Sequence, residues 1–369
     1  MMGDWLGERI ADARHRAGMT QADLATTISL DRSALAKIEN GSRRVTALEL
    51  ARIADALDER IEWFIKQTPA AIVSHRNLQE PGAVSPAIDR LVEQIARNVE
   101  FAIGHDENLR LSTPTLARPG SVDEAERSAA RARKLFGLDA AEPFLNAPGR
   151  AAGAGVLAFS FDLGADAADA ASILLGSGGV AIVNGNLRVG RRRLALAHEL
   201  GHCLFADEYT VDWRVAEQGG GNMWEAWLDR FARAVLLPPQ GLKETWQRLC
   251  AKDRDLRVAA VKIASAFQVD MSTLARRLLE LGLIGQVDSS KVRAVRTTKA
   301  DIIDFNLVTQ DELSAPFLAK PYVESVLRLY RNATVSAARA TDLLFDTWTE
   351  DDLPVLPELP ESAIWKFVS

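Results

Sequence analysis

The chain has almost no cysteine. Cys203 and Cys250 are the only two in 369 residues, so no disulfide framework staples the fold and stability must come from packing. Cys203 is expected to be a buried packing residue. Long apolar runs are also missing: none approaches the roughly 20 residues that span a bilayer. The opening segment MMGDWLGERIADARHR is charged and amphipathic, without the apolar centre of a secretory signal. These absences predict a soluble, cytoplasmic protein with no membrane partner. Basic excess is absent as well. The formal net charge is −6, which gives no chain-wide attraction for nucleic acid, so any contact with DNA must come from a local patch. Against this, apolar residues make up 47% of the chain, enough for a sizeable core and against disorder. The length suggests about two or three domains.

Histidine is scarce too, with five residues in all, yet two of them frame the pentapeptide His198-Glu199-Leu200-Gly201-His202. On an α-helix, positions four apart share a face, so both imidazoles can reach one Zn²⁺ at roughly 2.0–2.1 Å. Glu199 then stands where a general base can face a metal-bound water. The residues before and after, Leu194 to Ala197 and Leu200 to Phe205, are largely apolar, which predicts a buried helix. A catalytic zinc needs a third protein ligand and an open position. Glu225 is the candidate, on a separate predicted helix over about 223–237. Asp229 lies one turn further on the same face, suited to accept the N–H of a ligating histidine and fix its tautomer. The expected cofactor is one Zn²⁺ per chain, on His198, His202 and Glu225. The strand VAIV (180–183) can act either as plain core sheet or as an edge that pairs with an extended substrate. Tyr209 is a candidate donor to a developing oxyanion.

The first 66 residues read as helical throughout. Thr20 and Asp23 form an acidic capping box for a short helix. Ser29-Leu30 is a tight turn, and Asp31 caps a second helix that ends at Gly41. Short helix, turn and second helix make a helix–turn–helix. Leu35 and Ile38, with Ala34, can pack inward, while Arg32, Ser33 and Lys37 can face a major groove. Gln21, Asn40, Arg43 and Arg44 can reach phosphates. This region carries ten Lys/Arg and eleven Asp/Glu, so the positive patch is confined to residues 32–44. One such module binds weakly, so a homodimer on a two-half-site double-stranded DNA operator is expected.

Prolines punctuate residues 67–120, around one amphipathic helix near 86–103. Ser121 opens a new capping box, and short strands follow at 156–161 and 180–183, then the helices described above. The expected domains are 1–66, a linker over 67–120, a metal domain over 121–285, and a C-terminal regulatory or partner-binding region over 286–369. The class is α+β and helix-rich, with an all-α module in front of helices segregated beside a small sheet. Trp348, Trp365 and Phe367 in the tail are expected to serve packing.

Two runs carry resemblances. MTQADLATTISLDRSALAKIENGSRRVTALELARIADAL resembles the Xre/Cro-type repressor helix–turn–helix. GVAIVNGNLRVGRRRLALAHELGH, EAWLDRFARAVLLPP and FQVDMSTLARRLLELGLI look like the approach to the zinc helix, the second zinc helix and the closing helices of the ImmA/IrrE metallo-endopeptidase family. Two departures stand out: Leu228 replaces a usual Ala, and Arg193-Leu194 a common aromatic. The resemblance implies a zincin-like metallopeptidase domain with zinc on His198, His202 and Glu225 and with Glu199 as base. It also implies cleavage of an Xre-type repressor, which relieves repression under stress or mobile-element induction. Three readings follow. The chain is a DNA-binding transcriptional regulator whose zinc peptidase cuts a repressor partner or itself. Alternatively its zinc fold is a sensor or structural part that no longer cleaves. Or it belongs to a toxin–antitoxin or phage-defence pair, with an antitoxin as substrate. When bound to DNA, the protein would be nucleoid-associated.

Overall fold

The computed structural model describes residues 2–57, 61–65, 73–76, 86–165, 167–206, 221–253, 255–307 and 310–356. The chain divides into two compact units, Met1–Ala70 and Ala71–Ser369.

Among the described residues the first unit contains only helices: α1 (Met2–Arg16), α2 (Gln21–Thr27), α3 (Arg32–Glu39), α4 (Ala47–Ala56) and α5 (Ile61–Ile65). Reciprocal capping boxes at Thr20/Asp23 and Thr46/Glu49 satisfy orphan N–H groups at the starts of α2 and α4. Ser29, at φ 57°, makes the turn between α2 and α3. Gly7 lets α1 approach α3, since a Cβ there would collide with the carbonyl oxygens of Ile38 and Glu39. Leu24, Leu35, Ile38, Ile53 and Phe64 fill the core.

The second unit is built on a four-stranded sheet. Its elements are β1 (Val73–Arg76), α6 (Pro86–His105), α7 (Val122–Leu135), α8 (Ala147–Gly153), β2 (Val156–Phe161), β3 (Ala170–Leu174) and β4 (Gly179–Asn184). After these come α9 (Val189–Leu204), α10 (Gly221–Leu236), α11 (Pro239–Asp253), α12 (Leu256–Phe267) and α13 (Met271–Glu280). The chain closes with α14 (Gln286–Ala294), α15 (Lys299–Asp304), α16 (Lys320–Arg331) and α17 (Ala337–Leu343). The strand order is β1-β3-β4-β2. β2 and β4 are parallel, and the other pairs are antiparallel.

Successive strand residues point to opposite faces, and here each face has its own core. Val156, Ala158, Ala170, Ala181 and Val183 pack with Ala195, Leu196 and Leu200 of α9. Leu157, Phe159, Ala171, Ile173, Val180 and Ile182 pack with Ile88, Val92, Ile95 and Val99 of α6 and with Tyr322, Val326 and Leu329 of α16. Covering both faces turns the strands into continuous apolar runs rather than alternating ones. The linker helix expected near 86–103 therefore lies in the larger unit's core, as do parts of the C-terminal region. Trp348 is partly buried against the same core, whereas Trp365 and Phe367 lie outside the described residues.

Of the two roles open to VAIV, the strand order supports core sheet, and one strand was not foreseen. β4, which contains the VAIV run, lies between β3 and β2 and so has no free edge for a substrate strand. β3 was not foreseen, because Ala-Ala-Ser-Ile-Leu has little of the β-branched and aromatic content that marks strands. Among the described residues, no helix is long and apolar enough to cross a membrane.

Candidate metal centre and helix-turn-helix

The centre begins with α9. Its apolar sequence buries nearly the whole helix between the sheet and α10, so the polar pentapeptide is carried inside. His198 is 2% exposed, Glu199 0% and His202 4%. Buried imidazoles require partners. One comes from the next helix, where Asp229 Oδ1 lies 3.1 Å from His198 Nδ1. That contact fixes Nδ1 as the protonated nitrogen and turns Nε2 toward Glu225. His198 Nε2 is 3.1 Å from Glu225 Oε2 and His202 Nε2 is 3.8 Å from Glu225 Oε1.

The donor set suits a metal ion. Potential ligand atoms of His198, His202 and Glu225 all lie within 4.8 Å of one another. Three donors held about 2.0–2.2 Å from one tetrahedral ion stand about 3.3 Å apart, close to the two His–Glu separations. Two imidazoles and one carboxylate are a zinc-type set. Partial burial acts to raise the half-exposed Glu225 carboxyl, but the neighbouring His198 and His202 imidazoles outweigh it and hold the group below the usual carboxylate range.

Glu199 is tied to the sheet. Ser172 on β3 donates its hydroxyl to Glu199 Oε2 at 2.6 Å. Oε1 has no hydrogen-bond partner among the described residues. Nothing in the sequence around Ser172 signals this contact; only the pairing of β3 with β4 brings the residue to the zinc-type helix. Cys203 is buried packing, as expected. Burial, with Glu199 nearby, pushes its thiol up to about 12, which leaves it protonated and unreactive. Tyr209 lies outside the described residues.

α10 is locked in place by a network of ions. Arg277 is fully buried, donates to Leu237 O at 3.0 Å and to Glu126 Oε2 at 2.8 Å, and so ties α13 to α7 and to the end of α10. Arg233 bonds Glu280 at 2.9 Å and lies 3.8 Å from Asp229. The helix carrying Glu225 and Asp229 is thus held by charge-assisted bonds toward α7 and α13. Arg193, which replaces the aromatic of the resembled family, is completely buried and bonds Glu312 and the carbonyl of Phe144. It joins α9 to flanking segments and lies away from the cluster.

In the first unit, Arg32, Ser33, Lys37, Asn40 and Arg44 are exposed, and Gln21 and Arg43 are half-buried. Leu35 and Ile38 face the core. Gln21 donates to Glu39 at 2.7 Å, where Glu39 already holds Arg14 at 2.7 Å. Arg43 is paired with Glu49 at 2.7 Å. Ser42 N donates to Asn40 Oδ1 at 3.0 Å. These contacts orient three of the candidate DNA-facing side chains.

Fold and site together define a two-part chain, a helix–turn–helix unit joined to a helix-rich α+β unit with a His/His/Glu cluster able to hold a metal ion. Residues 10–64 match the helix-turn-helix family model, and residues 151–279 match a peptidase family model described as the IrrE N-terminal-like domain. The two matches fall in the order expected from the sequence, a helix-turn-helix model ahead of an IrrE-like one. No curated protein matches it. Among solved structures, Bacillus thuringiensis PlcR in complex with the peptide PapR7 and DNA is 13% identical. That match covers 92% of this chain and 91% of that one, at a TM-score of 0.18, too low to bear on the fold.

Proposed function

We propose that this protein is a DNA-binding transcriptional regulator that carries a zinc-dependent endopeptidase, which cleaves a repressor-type partner or the chain itself. The observation that carries the reading is the meeting of His198, His202 and Glu225 beside a buried Glu199 that needs no part in holding the ion. A site serving only as a sensor or structural clamp has no use for that fourth group.

His198, His202 and Glu225 would hold a zinc ion, which would supply Lewis acidity and make water more acidic, to a pKa of about 7. The chain's own residues do the rest. Asp229 holds His198 in the tautomer that leaves Nε2 for the ion. Ser172 occupies Glu199 Oε2, which leaves Oε1 to take a proton from the attacking water and to return it to the departing amine nitrogen. The peptide C–N bond breaks, the water's oxygen ends on the carbonyl carbon, and no covalent enzyme adduct forms.

In the first unit, α3 is the helix suited to a major groove. Arg32, Ser33 and Lys37 are exposed on it, as readout of base edges requires. Asn40 and Arg44, with Gln21 and Arg43, are suited to backbone phosphates. Two copies of the chain would read a two-fold operator.

Glu199→Gln is the test. The variant should retain zinc and operator binding and lose at least about a hundredfold in cleavage of a co-expressed Xre-type repressor or of the chain itself. Undiminished cleavage by the variant would remove Glu199 from the chemistry and with it the mechanism.

A further inference from the structure

Peptides enter sites of this kind most simply as an extra strand on a free sheet edge, where the backbone supplies the bonds and any extended sequence can serve. This sheet has two flanks. At the β2 flank, Ser160 exchanges backbone bonds with Phe317, each at 2.8 Å, and two strand spacings of about 4.8 Å separate that strand from β3. The β3 flank lies beside the chemistry, because Ser172 of β3 is the residue bonded to Glu199.

That flank is already filled. β1 pairs antiparallel with β3 along its length, in the register Val73↔Ile173, Ser74↔Ser172, His75↔Ala171, Arg76↔Ala170. It also lies against α9, the helix of the pentapeptide. Ser74 is thus the register partner of the very residue that holds Glu199. The occupant comes from a distinctive place in the chain, since the helix–turn–helix unit ends at Ala70 and β1 begins at Val73. The first secondary-structure element after that unit's boundary is therefore the strand at the site.

We propose that Val73–Arg76 is a resident strand in the peptide-binding edge of this centre, which denies the edge to other chains until it is displaced. What the edge is for rests on the peptidase reading above; that it is filled does not. The competitor is any extended peptide backbone. A strand tethered by a short segment competes at an effective concentration in the millimolar range, so an untethered substrate of ordinary affinity is excluded until displacement.

The full-length, metal-free protein is compared with a Ser74→Pro/His75→Pro variant by amide hydrogen exchange. Proline has no N–H and cannot sit within a paired ladder. The β3 amides directed at β1 should exchange roughly tenfold or more faster in the variant, while those bonded to β4 stay protected and certify that the sheet is folded. A synthetic peptide of residues 70–79 should bind the variant and not the parent. Equal exchange at every β3 amide, or equal peptide binding by both proteins, overturns the proposal.

Zinc-loaded forms are then given reduced casein. Faster cleavage by the variant supports a resident inhibitor, and a cut of the parent chain within 73–76 supports residence as well. Changed exchange without any cleavage would sink the peptidase reading and leave residence standing. Cleavage by both forms with unchanged exchange would do the reverse.

Discussion

Gly201 and Leu228 meet where the two helices of the centre cross. A Cβ on Gly201 would stand 2.8 Å from Leu228 Cδ2 and 3.1 Å from Phe231 Cδ1. The bulk that Leu228 adds to α10 is received by the bare backbone of α9, one residue before His202. Gly201→Ala should therefore force the helices apart, at a cost of about 1–3 kcal/mol, and weaken zinc binding with it. Adding Leu228→Ala should recover part of both losses. Urea unfolding and zinc titration of the single and double variants measure this. Additive effects would show that the two residues do not share a contact.

Asp229 Oδ1 lies 3.1 Å from Nδ1 of His198, a candidate ligand. Asp229→Asn keeps the size of the side chain but removes the charge that favours the Nδ1–H tautomer. Zinc affinity, read by competition with a chromogenic chelator, should fall about 10–100-fold. Unaltered affinity would mean that another partner orients the ring.

Glu39 is buried in the first unit with Arg14 and Gln21 around it. Glu39→Ala leaves the Arg14 guanidinium in place without its counter-charge, and breaking such a pair costs about 3–5 kcal/mol. Gln21→Ala removes one hydrogen bond to a charged group, about 1.5–3 kcal/mol. Exchange rates across α1 to α3 should rise in that order. If Gln21→Ala weakens operator binding without raising exchange, its contact with Glu39 carries no stability.

Acid stability should depend on Asp106. Its Oδ2 accepts from Arg328 Nε at 3.0 Å and Nη2 at 2.8 Å, which joins the end of α6 to α16. Burial acts to raise the Asp106 carboxyl, but Arg328 and the bonds from Asn108 outweigh it and hold it far below the ordinary range. A folded-state pKa below the unfolded value of about 3.9 stabilises the fold above that pH, and the contribution is lost as pH falls through the folded value. Arg328→Ala should lower the urea midpoint at pH 7 and flatten its further fall below about pH 4. Parallel midpoint curves for parent and variant from pH 7 to 3 would rule out this pair as a source of acid sensitivity.

Parts of this protein are written locally and could be read without coordinates. The capping boxes at Thr20 and Thr46, the turn at Ser29 and the spacing of Leu35 and Ile38 depend on neighbours a few residues away. The helix period alone puts His198 and His202 on one face. Most helix boundaries followed from the same short-range signals. β3 did not, because an alanine-rich strand has no local preference strong enough to declare it, and its place is set by burial on both faces.

What only the tertiary structure decided is everything that joins distant segments. The approach of Glu225 and Asp229 to the histidines depends on α10 being clamped by Arg277, Arg233 and Glu280, and on Gly201 letting Leu228 in. Ser172 reaches Glu199 only because β3 enters the sheet beside β4, and VAIV loses its edge for the same reason. The sequence by itself determined the chemistry available, namely two imidazoles, a carboxylate base and a basic second helix. The tertiary structure decided which groups meet and which edge is covered, because strand order and helix crossing come from the competition of many apolar faces for the same interior, which no window of neighbouring residues contains.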